Sequence, residues 1–284
     1  MKKRLPRWLK QYDTHIECIV TMDKLLNDLK LNTICKSAQC PNIARCYSTK
    51  TASFLILGDT CTRHCTFCAV KKGRPLPLDN KEPRKIQKAV EKLNLGYAVI
   101  TSPTRDDLFD GGASQFAKTV RAIHNLKSTH VEILIPDFAG CIKAVEKVVS
   151  SKPEVINHNI ETIPRLYKKV RPEANYQQSL HLLATIKAIN ADTVTKSGLI
   201  LGLGEEMSEV IEVMRSIREA GCNLLTLGQY LQPSLEHFPV ARYVPPEEFS
   251  TLGSIAKSMG FEGVVSSPLA RSSFQAAELY YKAH

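Results

Sequence analysis

The chain has 284 residues, of which 43% are hydrophobic and 23% charged, enough to bury the core of one large α/β domain or of two small ones. No apolar stretch approaches the length of roughly 18 residues that spans a bilayer, which argues against a membrane protein. The formal net charge of +10 favours acidic partners, a class that includes nucleic acid, anionic membrane and acidic protein, without choosing among them.

The start, MKKRLPRWLK, is basic but lacks the apolar core and small-residue cleavage site of a secretory signal, so the expected location is cytoplasmic. Of nine cysteines, seven fall in the first quarter. In a reducing compartment such clusters are ligands or catalysts rather than disulfides.

From residue 52 onward, short β-rich runs alternate with longer amphipathic stretches. Six strands are predicted: SFLILG (53–58), YAVITS (97–102), VEILIP (131–136), EVINHN (154–159), SGLILGLG (197–204) and NLLTLGQY (223–230). Helices are predicted between and after them at 83–94, 114–127, 139–150, 162–169, 176–190 and 207–220. Near-continuous apolar strands, each followed by a helix, give a parallel sheet covered by helices. A partial (β/α)6 TIM-like barrel fits best, with N-terminal and C-terminal extensions closing over the barrel mouth; an open doubly wound sheet has the same local pattern. The expected organisation is an N-terminal extension (1–50), the barrel (51–260) and a C-terminal extension (261–284). In either architecture chemistry collects at the C-terminal strand ends, where Gly58-Asp59, Thr101-Ser102, Asn157 to Asn159 and Gln229-Tyr230 stand.

Cys61, Cys65 and Cys68 form C-x3-C-x2-C in CTRHCTFC, just after the first predicted strand. Thiolates suit iron-sulfur clusters, and three on one short loop can hold three irons of a cubane and leave the fourth without a protein ligand. That iron can chelate S-adenosylmethionine, whose reductive cleavage starts radical chemistry. The segment resembles the signature of radical S-adenosylmethionine (SAM) enzymes, including an aromatic, Phe67, before the last cysteine. A zinc site fits poorly, because zinc takes four ligands and only His64 stands near enough to complete the set. Upstream, Cys35, Cys40 and Cys46 form C-x4-C-x5-C in CKSAQCPNIARC. A second tight triad is hard to explain as core cysteines, whereas Cys18, Cys141 and Cys222 are scattered and need no role. Two four-iron clusters need eight ligand positions. The triads supply six and one is left for the cosubstrate, so one protein ligand is missing.

The two triads, their separation, and RSSFQA at 271–276 together resemble the lipoyl synthase family, as do TSPTRDDLFDGGA (101–113), IPDFAG (135–140), NHNIETIPRLYKKVRP (157–172), TKSGLILGLGE (195–205) and TLGQYLQPSLEHFPVARYVPPEEF (226–249). The resemblance covers nearly the whole chain. It implies that Ser273, the second serine of RSS, ligates the auxiliary [4Fe-4S] cluster with Cys35, Cys40 and Cys46, while Cys61, Cys65 and Cys68 hold the radical SAM [4Fe-4S] cluster. It implies insertion of two sulfur atoms, at C6 and C8 of an octanoyl chain carried on a lysine of a lipoyl carrier domain. Two S-adenosyl-L-methionine cosubstrates are used per lipoyl group, and the auxiliary cluster is the sulfur donor. For the cosubstrate it implies Asn159 and Glu161 at the ribose, Arg171 at the carboxylate, and Gly111-Gly112 where backbone approaches the methionyl moiety. A Glu161–Arg171 ion pair and an Asn159 helix cap compete with those roles, and Gly111-Gly112 as a mere turn needs no function; Arg105, Asp106 and Asp107 are candidates to order the same loop.

The expected partners are an octanoylated carrier (the E2 subunit of a 2-oxoacid dehydrogenase or the glycine cleavage H protein), an electron donor such as ferredoxin or flavodoxin, and an iron-sulfur carrier protein, with no nucleic acid and no membrane. Lys71, Lys72 and Arg74 and the basic N-terminus are candidates for docking an acidic carrier. The chain departs from the family at Ala44, Arg45 and Tyr47, where small, acidic and tryptophan residues are common, and at Phe274, where tyrosine is usual. A methylthiotransferase acting on tRNA and a non-catalytic iron-sulfur or zinc module that binds nucleic acid are the rival readings. The first should carry a C-terminal RNA-binding barrel, and six β/α units with an open coordination position argue against the second.

Overall fold

The computed structural model describes residues 4–10, 16–49 and 51–283. The chain divides into two compact units, one of Tyr12–Arg63 and Val70–Ile156, the other of Met1–Gln11, His64–Ala69 and Asn157–His284.

The first unit opens with helix α1 (Ile16–Asp28), strand β1 (Asn32–Thr33) and two short helices, α2 (Ile34–Ser37) and α3 (Ile43–Ser48). Strand β2 (Ser53–Leu55) pairs antiparallel with β1; a two-stranded parallel ribbon follows, β3 (Thr60–Cys61) with β4 (Lys71–Lys72). Two β/α units come next: helix α4 (Glu82–Leu93) leads to strand β5 (Tyr97–Thr101), and α5 (Ala113–His124) to β6 (His130–Leu134), with α6 (Ile142–Val149) and β7 (Val155–Asn157) after them. Strands β2, β5 and β6 are parallel, with Phe54 opposite Ile100 and Ile100 opposite Ile133. All three of those side chains are inaccessible to water, as a parallel sheet covered by helices requires. The covering helix α4 buries Ile86, Ala89 and Val90 at helical spacing, carries a proline in its first turn, and stops at Asn94 in the left-handed region (φ 52°).

In the second unit, short helix α7 (Tyr167–Val170) precedes α8 (Tyr176–Ile189), strand β8 (Val194–Leu201), α9 (Met207–Glu219), β9 (Leu224–Gln229), α10 (Pro246–Ser258), β10 (Gly263–Ser266) and α11 (Ala276–Ala283). Strands β8, β9 and β10 are parallel and adjacent in chain order. Helix starts are written in local chemistry. The side chain of Asn175 caps α8 by accepting from the Gln178 N–H at 3.0 Å, and Glu206 and Glu209 close a reciprocal capping box at α9.

The fold is α/β with mainly parallel strands, and all six predicted strands are present. Within each unit strand order follows chain order, without the reversal that marks a doubly wound sheet. Three readings need correction. A further parallel strand, β10, lies in the segment assigned to the C-terminal extension; GVVS is short and half-exposed along its whole length, so neither alternation nor an apolar run announces it. The helix expected over 162–169 is a 3-10 turn, Pro164–Leu166, followed by α7, because Ile163, which precedes a proline, is held extended (ψ 155°) and cannot join a helix. The helix expected from 139 starts at Ile142, after a turn in which Ala139 takes a left-handed φ of 49°.

Candidate functional site

The upstream triad lies within the first unit on two short helices and the turn joining them. Cys35 is in α2, Cys46 in α3, and Cys40 in the turn, its N–H donating to the Cys35 carbonyl at 2.9 Å. The turn is held from behind by Tyr47, which is buried and hydrogen-bonded to Thr33 through its hydroxyl at 3.0 Å. Tyr47 thus fills an interior position, whereas Arg45 is exposed. Burial first, then the charge of Cys40, pushes the Cys35 thiol up to about 11; burial, then the charges of Cys35 and Cys40, pushes Cys46 up to about 12. The three sulfurs are therefore within electrostatic reach of one another and would repel as thiolates. Such a set is stable when ionised only if positive charge is placed among them, which fits an iron-sulfur cluster. Among the described residues no three His, Cys, Asp or Glu side chains gather as ligands of a single metal ion, the two cysteine triads included.

The second triad is split by the division of the chain. Cys61 ends β3 in the first unit, and Cys65 and Cys68 lie in the His64–Ala69 segment of the second. Around Cys61, the Arg63 N–H donates to the sulfur at 3.4 Å and the Gly73 N–H to the Cys61 carbonyl at 3.0 Å. The Arg63 guanidinium forks onto two carboxylates. Nε and Nη2 donate to Asp106 at 2.7 and 2.9 Å, and Nη1 and Nη2 to Asp137 at 2.8 and 2.7 Å. Its side chain is 8% exposed and that of Asp137 1%, so that arm of the clamp works with little solvent screening, whereas Asp106 is 37% exposed. On the other side, Thr66 donates through N–H to Val170 O (2.9 Å) and through Oγ1 to Lys169 O (2.8 Å), and its carbonyl accepts from the Phe238 N–H (2.9 Å). His64 is occupied by Glu173, with 2.8 Å between Nδ1 and Oε1. Its ring therefore has a partner other than a metal ion.

Asn159, Glu161 and Arg171 come together beyond the end of β7 in the second unit. The Glu161 backbone is bonded into β8, its N–H to Gly198 O at 2.9 Å and its carbonyl from the Ile200 N–H at 2.8 Å. This holds a non-glycine residue at φ 68°, a strained conformation of the kind that recurs at ligand clamps. The Asn159 carboxamide donates through Nδ2 to Glu161 Oε1 (2.9 Å) and to Ser272 Oγ (2.7 Å). Its Oδ1 is buried with no hydrogen-bond partner among the described residues, and a Cβ at Gly198 would stand 3.0 Å from it. Burial pushes the Glu161 carboxyl above the ordinary range, against the charge of Arg171, the Asn159 hydrogen bond and the charge of Arg271. Arg171 donates through Nη1 to the carbonyls of Asn159 and Ile160 and to the Tyr167 hydroxyl, each at 3.1 Å. The helix-cap alternative for Asn159 is corrected: the first helical turn after it starts from Ile163 with no side-chain cap. An orphaned amide oxygen beside a carboxylate offers acceptors to hydroxyl donors, which fits a ribose diol.

Gly111 and Gly112 lie in the first unit, at φ 57° and 93°, and Gly112 is the residue from which α5 starts. A Cβ would meet the Phe138 ring at Gly111 and Leu57 at Gly112, so turn geometry and packing alone demand glycine there. Arg105 orders the neighbouring loop as expected, forking onto Asp107 at 2.8 and 2.9 Å and donating to Leu57 O at 2.6 Å. Ser273 lies half-buried in the turn between β10 and α11, in the second unit. Cys141 is exposed and Cys222 fully buried, and neither joins a triad.

Sequence reasoning missed the Arg63–Asp106–Asp137 clamp and the Ser272–Asn159 bond. Arg63, Asp106, Asp137 and Ser272 all lie inside quoted motifs, but nothing in one sequence says which of those residues meet.

Residues 55–217 match the model of the Radical SAM superfamily. A lipoyl synthase from Caldicellulosiruptor saccharolyticus is 51% identical over 279 residues, covering 98% of both chains. One from Aquifex aeolicus is 51% identical over 265 residues, covering 93% of this chain and 96% of that one. Among solved structures, methylornithine synthase aligns over 98% of this chain and 82% of its own at a TM-score of 0.59 with 12% identity. The FeFe-hydrogenase maturase HydG from Carboxydothermus hydrogenoformans aligns over 94% and 69% at a TM-score of 0.63 with 14% identity, so both establish a shared fold. The chain belongs to the lipoyl synthase family, within the radical SAM superfamily.

Proposed function

We propose that this chain is a sulfurtransferase that inserts two sulfur atoms, at C6 and C8, into an octanoyl chain attached to a lysine of a lipoyl carrier domain. The observation that carries the reading is identity of about half over nearly the full length with lipoyl synthases from several organisms. When bound, the two [4Fe-4S] clusters and S-adenosylmethionine supply reductive generation of a carbon radical and the sulfur that is transferred. The protein's part is to bind, orient and shield. Cys61, Cys65 and Cys68 hold the cluster that engages the cosubstrate, and the backbone bonds at Arg63 and Thr66 hold the loop that carries them. Cys35, Cys40, Cys46 and Ser273 hold the sulfur-donating cluster, with serine as the weaker, more labile ligand. Asn159 Oδ1 and the Glu161 carboxylate accept the ribose hydroxyls, Arg171 brings positive charge to the cosubstrate carboxylate, and Gly111-Gly112 lets backbone approach the methionyl moiety.

The carrier is an acidic domain such as a 2-oxoacid dehydrogenase E2 subunit or the glycine cleavage H protein, docked by Lys71, Lys72 and Arg74, all exposed. A ferredoxin or flavodoxin supplies electrons, an iron-sulfur carrier protein rebuilds the auxiliary cluster, and the setting is the cytoplasm. Among the described residues no helix is long and apolar enough to cross a membrane. The test is anaerobic reconstitution followed by mass spectrometry of an octanoylated carrier peptide. Two sulfur additions with release of 5'-deoxyadenosine are expected; cosubstrate cleavage without sulfur transfer overturns the reading.

A further inference from the structure

We infer that Ser272, the first serine of the RSS motif, is a positioning residue for the cosubstrate, acting through the Asn159 carboxamide. This rests on the reading of Asn159 as a cosubstrate contact. The carboxamide has two N–H donors and one oxygen. Both donors are engaged, one by Glu161 Oε1 at 2.9 Å and the other by Ser272 Oγ at 2.7 Å, whereas the oxygen is buried with no partner among the described residues. A buried acceptor left unsatisfied is costly, and an amide free to rotate would turn to relieve it. Two acceptors on Nδ2 prevent that rotation and keep the oxygen presented for a ligand hydroxyl. Glu161 alone fixes one hydrogen; Ser272 fixes the other.

The turn that supplies Ser272 is itself tied to the strand ends. Pro268 O accepts from the Gln229 N–H at 3.1 Å, the Ser267 N–H donates to Leu227 O at 3.1 Å, and the Ala270 carbonyl lies so close over Gly228 that no Cβ fits there. Arg271, next in the chain, lies near enough to oppose the upward shift of the Glu161 carboxyl. The two serines therefore divide the work: Ser272 turns toward the cosubstrate contacts, and its neighbour Ser273 is left for the auxiliary cluster. Linkage makes the effect reciprocal, so a ligand that uses Asn159 also holds the 267–275 turn in place.

The experiment measures binding of S-adenosylhomocysteine, which cannot be reductively cleaved in the same way, to the protein with both clusters reconstituted, by calorimetry. Wild type, S272A, N159A and the double variant form a cycle. Loss of a short hydrogen bond that orients an acceptor predicts about tenfold weaker binding for S272A, a weaker N159A, and no further loss in the double variant. Hydrogen exchange gives the reciprocal readout, with S-adenosylhomocysteine protecting the 267–275 backbone in wild type but not in S272A. Unchanged affinity in S272A beside a weakened N159A, or additive losses in the double variant, overturns the inference and leaves the cosubstrate reading standing. Unchanged affinity in N159A overturns both.

Discussion

The two cysteine triads reach their geometry by different means. Cys35, Cys40 and Cys46 belong to one unit, on two short helices and a turn, with a buried tyrosine behind them, and burial followed by neighbouring cysteine charge makes ionisation of Cys35 and Cys46 costly. Cys61, Cys65 and Cys68 sit on a loop whose first cysteine belongs to one unit and whose other two belong to the second, and the loop is fastened at many points by backbone hydrogen bonds and a buried arginine clamp. The first triad is fastened within its own short helices, the Cys40 N–H donating to Cys35 O and the Cys46 N–H to Asn42 O, each at 2.9 Å. The second draws on partners distant in the chain, Asp106 and Asp137 at Arg63 and Val170 at Thr66.

This contrast can be broken most sharply at the sulfurs. C65A should abolish 5'-deoxyadenosine release, whereas C40A should retain it while losing sulfur transfer, and each should bind about four irons in place of about eight, by iron assay and mass spectrometry. If C40A also fails to cleave the cosubstrate, the two triads are not functionally separable. Next in size is the clamp. D137N removes one carboxylate from an arginine whose side chain is 8% exposed, and should destabilise the protein by about 3 kcal/mol in denaturant unfolding. Behind the upstream triad, Y47F loses only the hydroxyl contact to Thr33 and should cost about 1 kcal/mol by the same measurement, with cluster content preserved. The smallest effect should come from E173Q. The His64–Glu173 pair is 62% and 39% exposed, so its loss should change stability by less than about 1 kcal/mol and be masked by salt. A large effect at Glu173 and a small one at Asp137 would reverse the proposed order of anchoring.

The legible part of the site was the part written in covalent order. Cysteine spacing and apolar strands are local, and each survives being read without neighbours. Asn159, Glu161 and Arg171, proposed as cosubstrate contacts, were legible as motif residues, and geometry removed one alternative, the helix cap at Asn159, whose carboxamide is bonded to Glu161 and Ser272 instead. The strand β10 was invisible because four half-exposed residues carry no periodic signal, and its place is decided by pairing with β9.

The sequence by itself determined the chemistry available, namely six clustered thiols, a serine-bearing terminal motif and a run of strand-helix units. These follow from residue type and short spacing. Only the tertiary structure decided that Arg63 would be clamped from positions 43 and 74 residues onward, and that Asn159 would be oriented by a serine 113 residues away. Those pairings depend on how the strands bring distant turns together, and a hydrogen bond between such turns leaves no trace in the order of the residues.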